Sequence, residues 1–117
     1  MNKEVLSKYD VMGVSEGAGN SFEDAHNLVE ASRNELNMAY AFDGIGVSNE
    51  ACYSLLHFKD VFSSWDSAFA SNGWLSVFLA NHDQARLVSR FSNDNPAFKD
   101  LSAKMLATFI MTMRGTP

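Results

Sequence analysis

Three short apolar runs alternate along this chain with stretches in which apolar residues recur every three or four positions. The runs are rich in β-forming residues and comprise Tyr9–Val14, Leu36–Phe42 and Trp74–Ala80. A strand followed by an amphipathic helix, repeated three times, is the pattern of βα units around a parallel sheet. The sequence therefore predicts an α/β fold.

Each helical stretch has one apolar face. The first helix is expected to begin at Asn20 and Ser21, which with Asp24 resemble a capping box. Asn72 and Gly73 are placed to end the second. The predicted faces are Phe22, Ala25, Leu28 and Val29 in the first helix, Phe58, Val61, Phe62, Trp65 and Phe69 in the second, and Leu101, Met105, Phe109 and Met113 in the third. The polar stretch Asn81–Asp100 before the third helix is predicted to be a long loop.

Polar residues follow each predicted strand. In a parallel βα sheet the carboxyl ends of the strands meet at one rim, which holds the functional site. We therefore expect Glu16, Asp43 and the segment Asn81–Asp83 to gather at that rim, with Glu16 and Asp83 two strands apart.

Composition excludes several classes of partner. A hydrophobic content of 46% suffices for a packed core, and nine scattered Lys and Arg with a net charge of −5 make nucleic acid an unexpected partner. No apolar run approaches the roughly 20 residues that cross a bilayer, and the N-terminus lacks the apolar centre of a signal peptide. We expect no membrane partner. The compartment stays open, with the cytoplasm slightly favoured.

Metal and cofactor sites are not expected either. The single cysteine, Cys52, excludes an internal disulfide and zinc sites of the paired-cysteine type. His26 and His57 lack further Cys or His at ligand spacing. We predict no metal and no cofactor.

Glu16 suits the general acid of a glycoside hydrolase. Such enzymes need one carboxylic acid to protonate the leaving oxygen and a second carboxylate opposite it. Partial burial after an apolar strand would keep Glu16 protonated, and the flanking Gly17 and Gly19 would let backbone pass close to a sugar. The alternative is that Glu16 caps the following helix.

The segment Asn81–Asp83 places an amide, an imidazole and a carboxylate in succession beyond the third strand. This grouping suits bidentate hydrogen bonds to sugar hydroxyls, and the carboxylate could stabilise positive charge at an anomeric carbon. The alternative, equally open at this point, is a turn in which Asn81 and Asp83 bond their own backbone.

Several segments resemble α-glucosidases and oligo-1,6-glucosidases of the α-amylase superfamily. Residues 81–91, N-H-D-Q-A-R-L-V-S-R-F, look like that family's N-H-D-Q-P-R-x-V-S-R-F. Residues 10–16, D-V-M-G-V-S-E, resemble its fifth-strand segment D-V-M-T-V-G-E, residues 33–38 resemble its lead-in to the sixth strand, and residues 102–108 resemble its seventh helix. The likeness covers nearly the whole chain, in order.

The resemblance implies a fold and a set of roles. The fold would be a partial TIM (β/α)8 barrel, strands 5 to 7 with their helices, in one stretch over residues 1–117 without an internal boundary. Glu16 would be the general acid/base of a retaining enzyme acting on α-linked gluco-oligosaccharides, and Asp83 the transition-state-stabilising carboxylate. Substrate would be bound by Asn81, by His82, by Phe42 as an apolar wall and by Arg90 at the neighbouring sugar subsite.

The chain also departs from the family pattern. Ser15 and Ser92 replace the usual glycines, Ala85 replaces a proline, and the fourth-strand segment G-F-R-x-D with the nucleophile is absent. We therefore expect a fragment that is inactive alone and that self-associates through open sheet edges.

The residues are also compatible with two other functions. Gly13–Gly17 matches the G-x-S-x-G nucleophile elbow of esterases, with Ser15 as nucleophile and His82 and Asp83 as nominal triad partners. Met105, Met111 and Met113 in the last helix would suit a non-enzymatic α/β interaction module.

Overall fold

Three parallel strands form the sheet of this protein. The computed structural model describes residues 1–17, 22–47 and 54–117. Strand β1 (Val14–Ser15) pairs with β2 (Met38–Tyr40), and β2 pairs with β3 (Leu75–Ser76). Both pairings are parallel and the sheet order is β1-β2-β3. The predicted α/β organisation is confirmed, and Glu16 and Asp83 follow strands that flank β2 on its two sides.

Five α-helices lie in the described part of the chain, after a 3-10 turn at Leu6–Lys8. They are α1 (Phe22–Val29), α2 (Asp43–Gly46), α3 (Leu55–Ala68), α4 (Leu87–Phe91) and α5 (Lys99–Thr112). Helix α3 begins where the Ser54 hydroxyl accepts a hydrogen bond from the backbone N–H of His57 at 3.3 Å. The predicted cap at Asn20 and Ser21 lies outside the described residues. No helix in the described ranges has the length and apolar character to cross a membrane.

The core lies between the sheet and the helices. Successive strand residues point to opposite faces, so Ala39 and Ala41 of the β2 segment and Leu75 and Val77 of the β3 segment share the helix side. There they pack against Ala25, Val29, Trp65 and Phe69. A second cluster, centred on α4 and α5, contains Val47, Phe58, Phe62, Leu79, Val88, Phe91 and Leu106. The predicted apolar faces of α1 and α3 therefore supply the core, apart from Phe22, whose side chain lies outside the description.

The strands are shorter than the apolar runs predicted. The prediction was wrong for residues 9–13, because Tyr9, Val11 and Met12 are exposed and pairing starts only at Val14. At Gly13 the backbone carbonyl accepts from the Asn37 N–H at 2.9 Å, whereas the Gly13 N–H donates to the side-chain Oδ1 of Asn37 at 2.8 Å. The predicted ends of the second and third strands also extend beyond their paired residues, since a ladder forms only where two backbones run side by side.

Two helical predictions need correction. The polar stretch after β3 is not a continuous loop, because α4 lies within it and buries Val88 and Phe91. In α5 the predicted residues Leu101 and Met105 are 67% and 54% exposed, and the helix instead buries Leu106. Contact with α4 decides which face of α5 is packed. Helical spacing within α5 alone carries no information about where α4 lies.

A further parallel bridge extends the sheet beyond β3. Thr116 pairs with Ser76, the Thr116 N–H donating to the Leu75 carbonyl at 2.8 Å and the Val77 N–H donating to the Thr116 carbonyl at 2.9 Å. The turn predicted at Gly115–Pro117 therefore leads the chain back alongside β3, where Thr116 pairs with the last residue of that strand.

Candidate functional site

Glu16 lies directly after β1, at the carboxyl end of the sheet. Ser15 before it is buried in the strand, and Gly17 after it turns the chain with φ +72°, a conformation that favours glycine. Glu16 itself is exposed. The expected partial burial of this carboxyl is therefore wrong for the described residues, because no described element covers it.

The segment Asn81–Asp83 follows β3 at the same end of the sheet. His82 Nε2 lies 3.4 Å from Asp83 Oδ1, and the two side chains are 84% and 69% exposed. Asn81 Oδ1 accepts the backbone N–H of Asp83 at 3.1 Å. The turn alternative is thus confirmed for Asn81, and this turn presents the imidazole and the carboxylate outward together.

A cavity of about 350 Å³ joins these two rim segments. Glu16 from β1 and His82 and Asn81 from the β3 loop line it, together with Tyr40, Phe42, Ser76, Phe78, Ala80 and Pro117. The structure therefore brings together four of the predicted site residues, Glu16, Asn81, His82 and Phe42. Asp83 and Arg90 are not among the described residues that line this cavity.

An aromatic wall of three rings forms one side of the cavity. Phe78 lies edge to face with Tyr40 and with Phe42, with ring centroids 5.3 and 5.4 Å apart, and Tyr40 and Phe42 are 5.9 Å apart. Of these three rings, only Phe42 was predicted at the site from the sequence; Tyr40 and Phe78 were not. Strand alternation could have found them, because both lie on the sheet face that carries Phe42.

Asp43 and Arg90 contact protein groups near the rim. Asp43, the first residue of α2, accepts a hydrogen bond on Oδ2 from the indole N–H of Trp65 at 3.3 Å. Arg90 Nη1 donates to the Leu79 carbonyl at 3.2 Å, and its guanidinium carbon lies 4.9 Å from the centroid of the Phe91 ring. Desolvation by burial lowers the pKa of Arg90 from its ordinary value.

A larger groove, of about 600 Å³, lies elsewhere, between α3 and α5. Its floor contains Phe62 and Phe109, and at one end Arg114 and Asp66 form an ion pair, with Nε and Oδ1 3.2 Å apart. It is on the helix side, away from the carboxyl ends of the strands. In an α/β sheet these carboxyl ends are the usual place for catalysis, so the smaller cavity is the better candidate site.

Ser15 does not have the environment of an esterase nucleophile. An elbow serine sits on an exposed turn between strand and helix, whereas Ser15 is part of β1 and only 8% exposed. Its hydroxyl is therefore poorly placed to attack a substrate.

The comparisons with known proteins agree with this geometry. The family model for the alpha amylase catalytic domain matches residues 1–117. The chain belongs to the α-amylase catalytic-domain family. It is 40% identical to an oligo-1,6-glucosidase of Parageobacillus thermoglucosidasius and 39% identical to an α-glucosidase of Pediococcus pentosaceus, in each case over 100% of the chain. The resemblance inferred from residues 10–16 and 81–91 is confirmed.

A solved member of comparable structure supports the same fold. The isomaltulose synthase of Erwinia rhapontici NX5 superposes with a TM-score of 0.91 at 36% identity, covering 99% of this chain and 22% of that one. The α-amylase-family chain likewise spans about a fifth of the curated relatives it matches, 22% of the Parageobacillus enzyme and 23% of the Pediococcus enzyme. Its three parallel strands with their helices correspond to part of a TIM barrel.

Within residues 1–17, 22–47 and 54–117, no three His, Cys, Asp or Glu side chains are grouped so that they could hold a metal ion. The chemistry that the described rim offers is therefore that of a carboxyl, an imidazole, an amide and aromatic rings.

Proposed function

We propose that this chain is a stretch of the catalytic barrel of a retaining α-glucoside hydrolase that acts on α-linked gluco-oligosaccharides. Residues 1–117 would form one stretch of that barrel without an internal domain boundary. The observation that carries the proposal is the shared cavity, where Glu16 from one strand end meets His82 and Asn81 from another. The oligo-1,6-glucosidase and α-glucosidase names of similar proteins supply the substrate class.

In this proposal Glu16 is the general acid/base. It protonates the glycosidic oxygen as the bond breaks and then removes a proton from the water that completes the reaction. The exposure of Glu16 leaves its carboxyl open to a leaving group on the cavity side.

The β3 loop would hold the sugar. Asp83 would stabilise the positive charge that develops at the anomeric carbon, and the adjacent His82 would hydrogen-bond the sugar hydroxyls. Asn81 would bind the sugar and also maintain the turn that carries both side chains. Phe42 would be the apolar wall, supported by its contacts with Tyr40 and Phe78. Contact between Arg90 and the neighbouring sugar stays a prediction of the resemblance.

The chain alone is expected to be inactive. A retaining mechanism needs a nucleophilic carboxylate about 5 Å from the acid, and the family's nucleophile segment G-F-R-x-D does not occur in this sequence. Activity would therefore require a full-length protein that supplies this carboxylate.

The full-length glucosidase tests the acid assignment with p-nitrophenyl α-glucoside and with isomaltose as substrates. Glu16→Gln should lower kcat by about 10²–10⁴-fold, because the side-chain amide is far too weak an acid to protonate the leaving oxygen. Glu23→Gln, the same substitution at an exposed position of α1, should leave kcat unchanged. An active Glu16→Gln enzyme would remove the basis for the proposal, as would a wild type that hydrolyses neither substrate.

The isolated chain is also proposed to self-associate. The backbone at residues 9–12 has no strand partner in the described part of the chain, and Val11 and Met12 beside it are exposed. Light scattering at micromolar concentration should detect dimers or larger species. A monodisperse monomer would refute this part of the proposal.

A further inference from the structure

A hydrogen bond joins the two ends of the loop that carries His82 and Asp83. The loop follows Leu79, which lies three residues beyond the end of β3 at Ser76 and two before Asn81, and it ends at α4. Arg90, near the end of α4, donates from Nη1 to the carbonyl of Leu79 at 3.2 Å. One side chain therefore connects the backbone just before the loop with the helix after it.

The hydrogen bond between Arg90 and Leu79 is partly buried. The guanidinium of Arg90 packs over the ring of Phe91, and Leu79, Val88 and Phe91 are all buried in the same core cluster. Burial also lowers the pKa of Arg90 from its ordinary value. A charged donor in such a partly desolvated place bonds a carbonyl more strongly than one in open water.

The loop itself has few other anchors in the described part of the chain. The contacts of its polar side chains are local: Asp83 with His82, and Asn81 with the backbone of Asp83. These contacts shape the turn but do not connect it to the sheet. The direction in which His82 and Asp83 project is therefore set by the two ends of the loop, which Arg90 joins.

We propose that Arg90 is a positioning residue, which locks the end of α4 against Leu79, just beyond β3, and so directs His82 and Asp83 toward the sugar. This inference rests on the glucoside hydrolase function proposed above. It differs from a direct contact of Arg90 with a neighbouring sugar, because the guanidinium bonds the Leu79 carbonyl and is absent from the described lining of the cavity.

The test uses the full-length glucosidase with Arg90→Met, Arg90→Lys and a matched control, Arg114→Met. Arg114 also donates to a backbone carbonyl, that of Ala70, at 2.9 Å, but near the amino-terminal end of β3. Values of kcat and KM are measured on p-nitrophenyl α-glucoside and on isomaltose, which places a second sugar next to the bond that is cleaved. Hydrogen exchange of the amides of residues 81–84 is followed in parallel.

Arg90→Met should lower kcat about 10–100-fold on both substrates alike, because misplaced groups lose transition-state stabilisation, while KM changes by less than about threefold. Exchange at residues 81–84 should become faster. Arg90→Lys keeps a donor for the Leu79 carbonyl and should recover a large part of kcat. Arg114→Met should leave both kcat and loop exchange at their wild-type values.

Two results would overturn the inference. A loss confined to KM for isomaltose would mean that Arg90 contacts the second sugar. Unchanged kcat and unchanged loop exchange in Arg90→Met would mean that it positions nothing. If the wild type is active and Glu16→Gln is not, either result removes the role of Arg90 and leaves the proposed function standing. A wild type that hydrolyses neither substrate removes both.

Discussion

Helix α5 offers two leucines of opposite environment for a direct test of the packing. Leu106 is 5% exposed and packs in the cluster with Leu79, Val88 and Phe91. Leu101, five residues earlier, is 67% exposed, although helical spacing predicted it for the core. Replacing each with alanine removes the same atoms from the same helix, so the difference in unfolding free energy reports the environment alone.

The expected magnitudes follow from these exposures. Leu106→Ala removes three buried carbons, about 2.4 kcal/mol at about 0.8 kcal/mol each, and the void brings the total to about 3 kcal/mol. The lower part of the usual range applies because an open groove beside Leu106 lets the site relax. Leu101→Ala forfeits only about a third of that transfer term, about 0.8 kcal/mol, and the helix propensity of alanine affects both variants equally.

Urea unfolding of the 117-residue chain, followed by far-UV circular dichroism at one protein concentration, measures both values. The two variants should differ by about 2.2 kcal/mol, which is about 40-fold in the unfolding equilibrium. Equal losses in the two variants, or a larger loss at Leu101, would refute the assignment of the buried face.

Two further substitutions test contacts at the two ends of the sheet. Gly115→Ala should cost about 1–3 kcal/mol in thermal unfolding, because φ is +131° there and a Cβ would lie 2.7 Å from the Leu75 carbonyl oxygen. Gly46→Ala, whose Cβ would meet no described atom within 4 Å outside its own helix, is the control and should be near neutral. Trp65→Phe should remove the hydrogen bond to Asp43, and a double-mutant cycle with Asp43→Ala should give a coupling of about 0.5–1.5 kcal/mol. A coupling near zero would mean that the bond contributes nothing.

The sheet was predictable because its signal is local and repeated. Each apolar run is followed by a stretch with the helical period of 3.6. Few arrangements other than parallel βα units are compatible with this repeated pattern. The lengths of the strands were not predictable, since residues such as Val11 and Met12 have the composition of a strand but no neighbour beside them. Residue type indicates a preference for the strand conformation, but a strand pairs only where a second backbone runs beside it.

The residues that form the site were predicted from the sequence more fully than the contacts between them. Glu16, Asn81 and His82 were assigned to one rim because parallel strands end together, and the cavity contains all three. The exposure of Glu16, the bond from Arg90 to Leu79 and the aromatic contacts of Phe78 depend on neighbours distant in sequence. Such contacts follow from tertiary packing, which periodicity within one segment does not contain.

The order of the sheet has a consequence for how such a chain is made. Strand β2 pairs with β1, β3 pairs with β2, and Thr116 then bridges to Ser76 of β3. Each strand therefore adds to the edge left by the one synthesised before it. During synthesis from the amino end, each new strand could pair with the free edge of the strand made before it. No strand would have to be inserted between two strands that are already paired. The order of the strands along the chain and their order across the sheet therefore coincide.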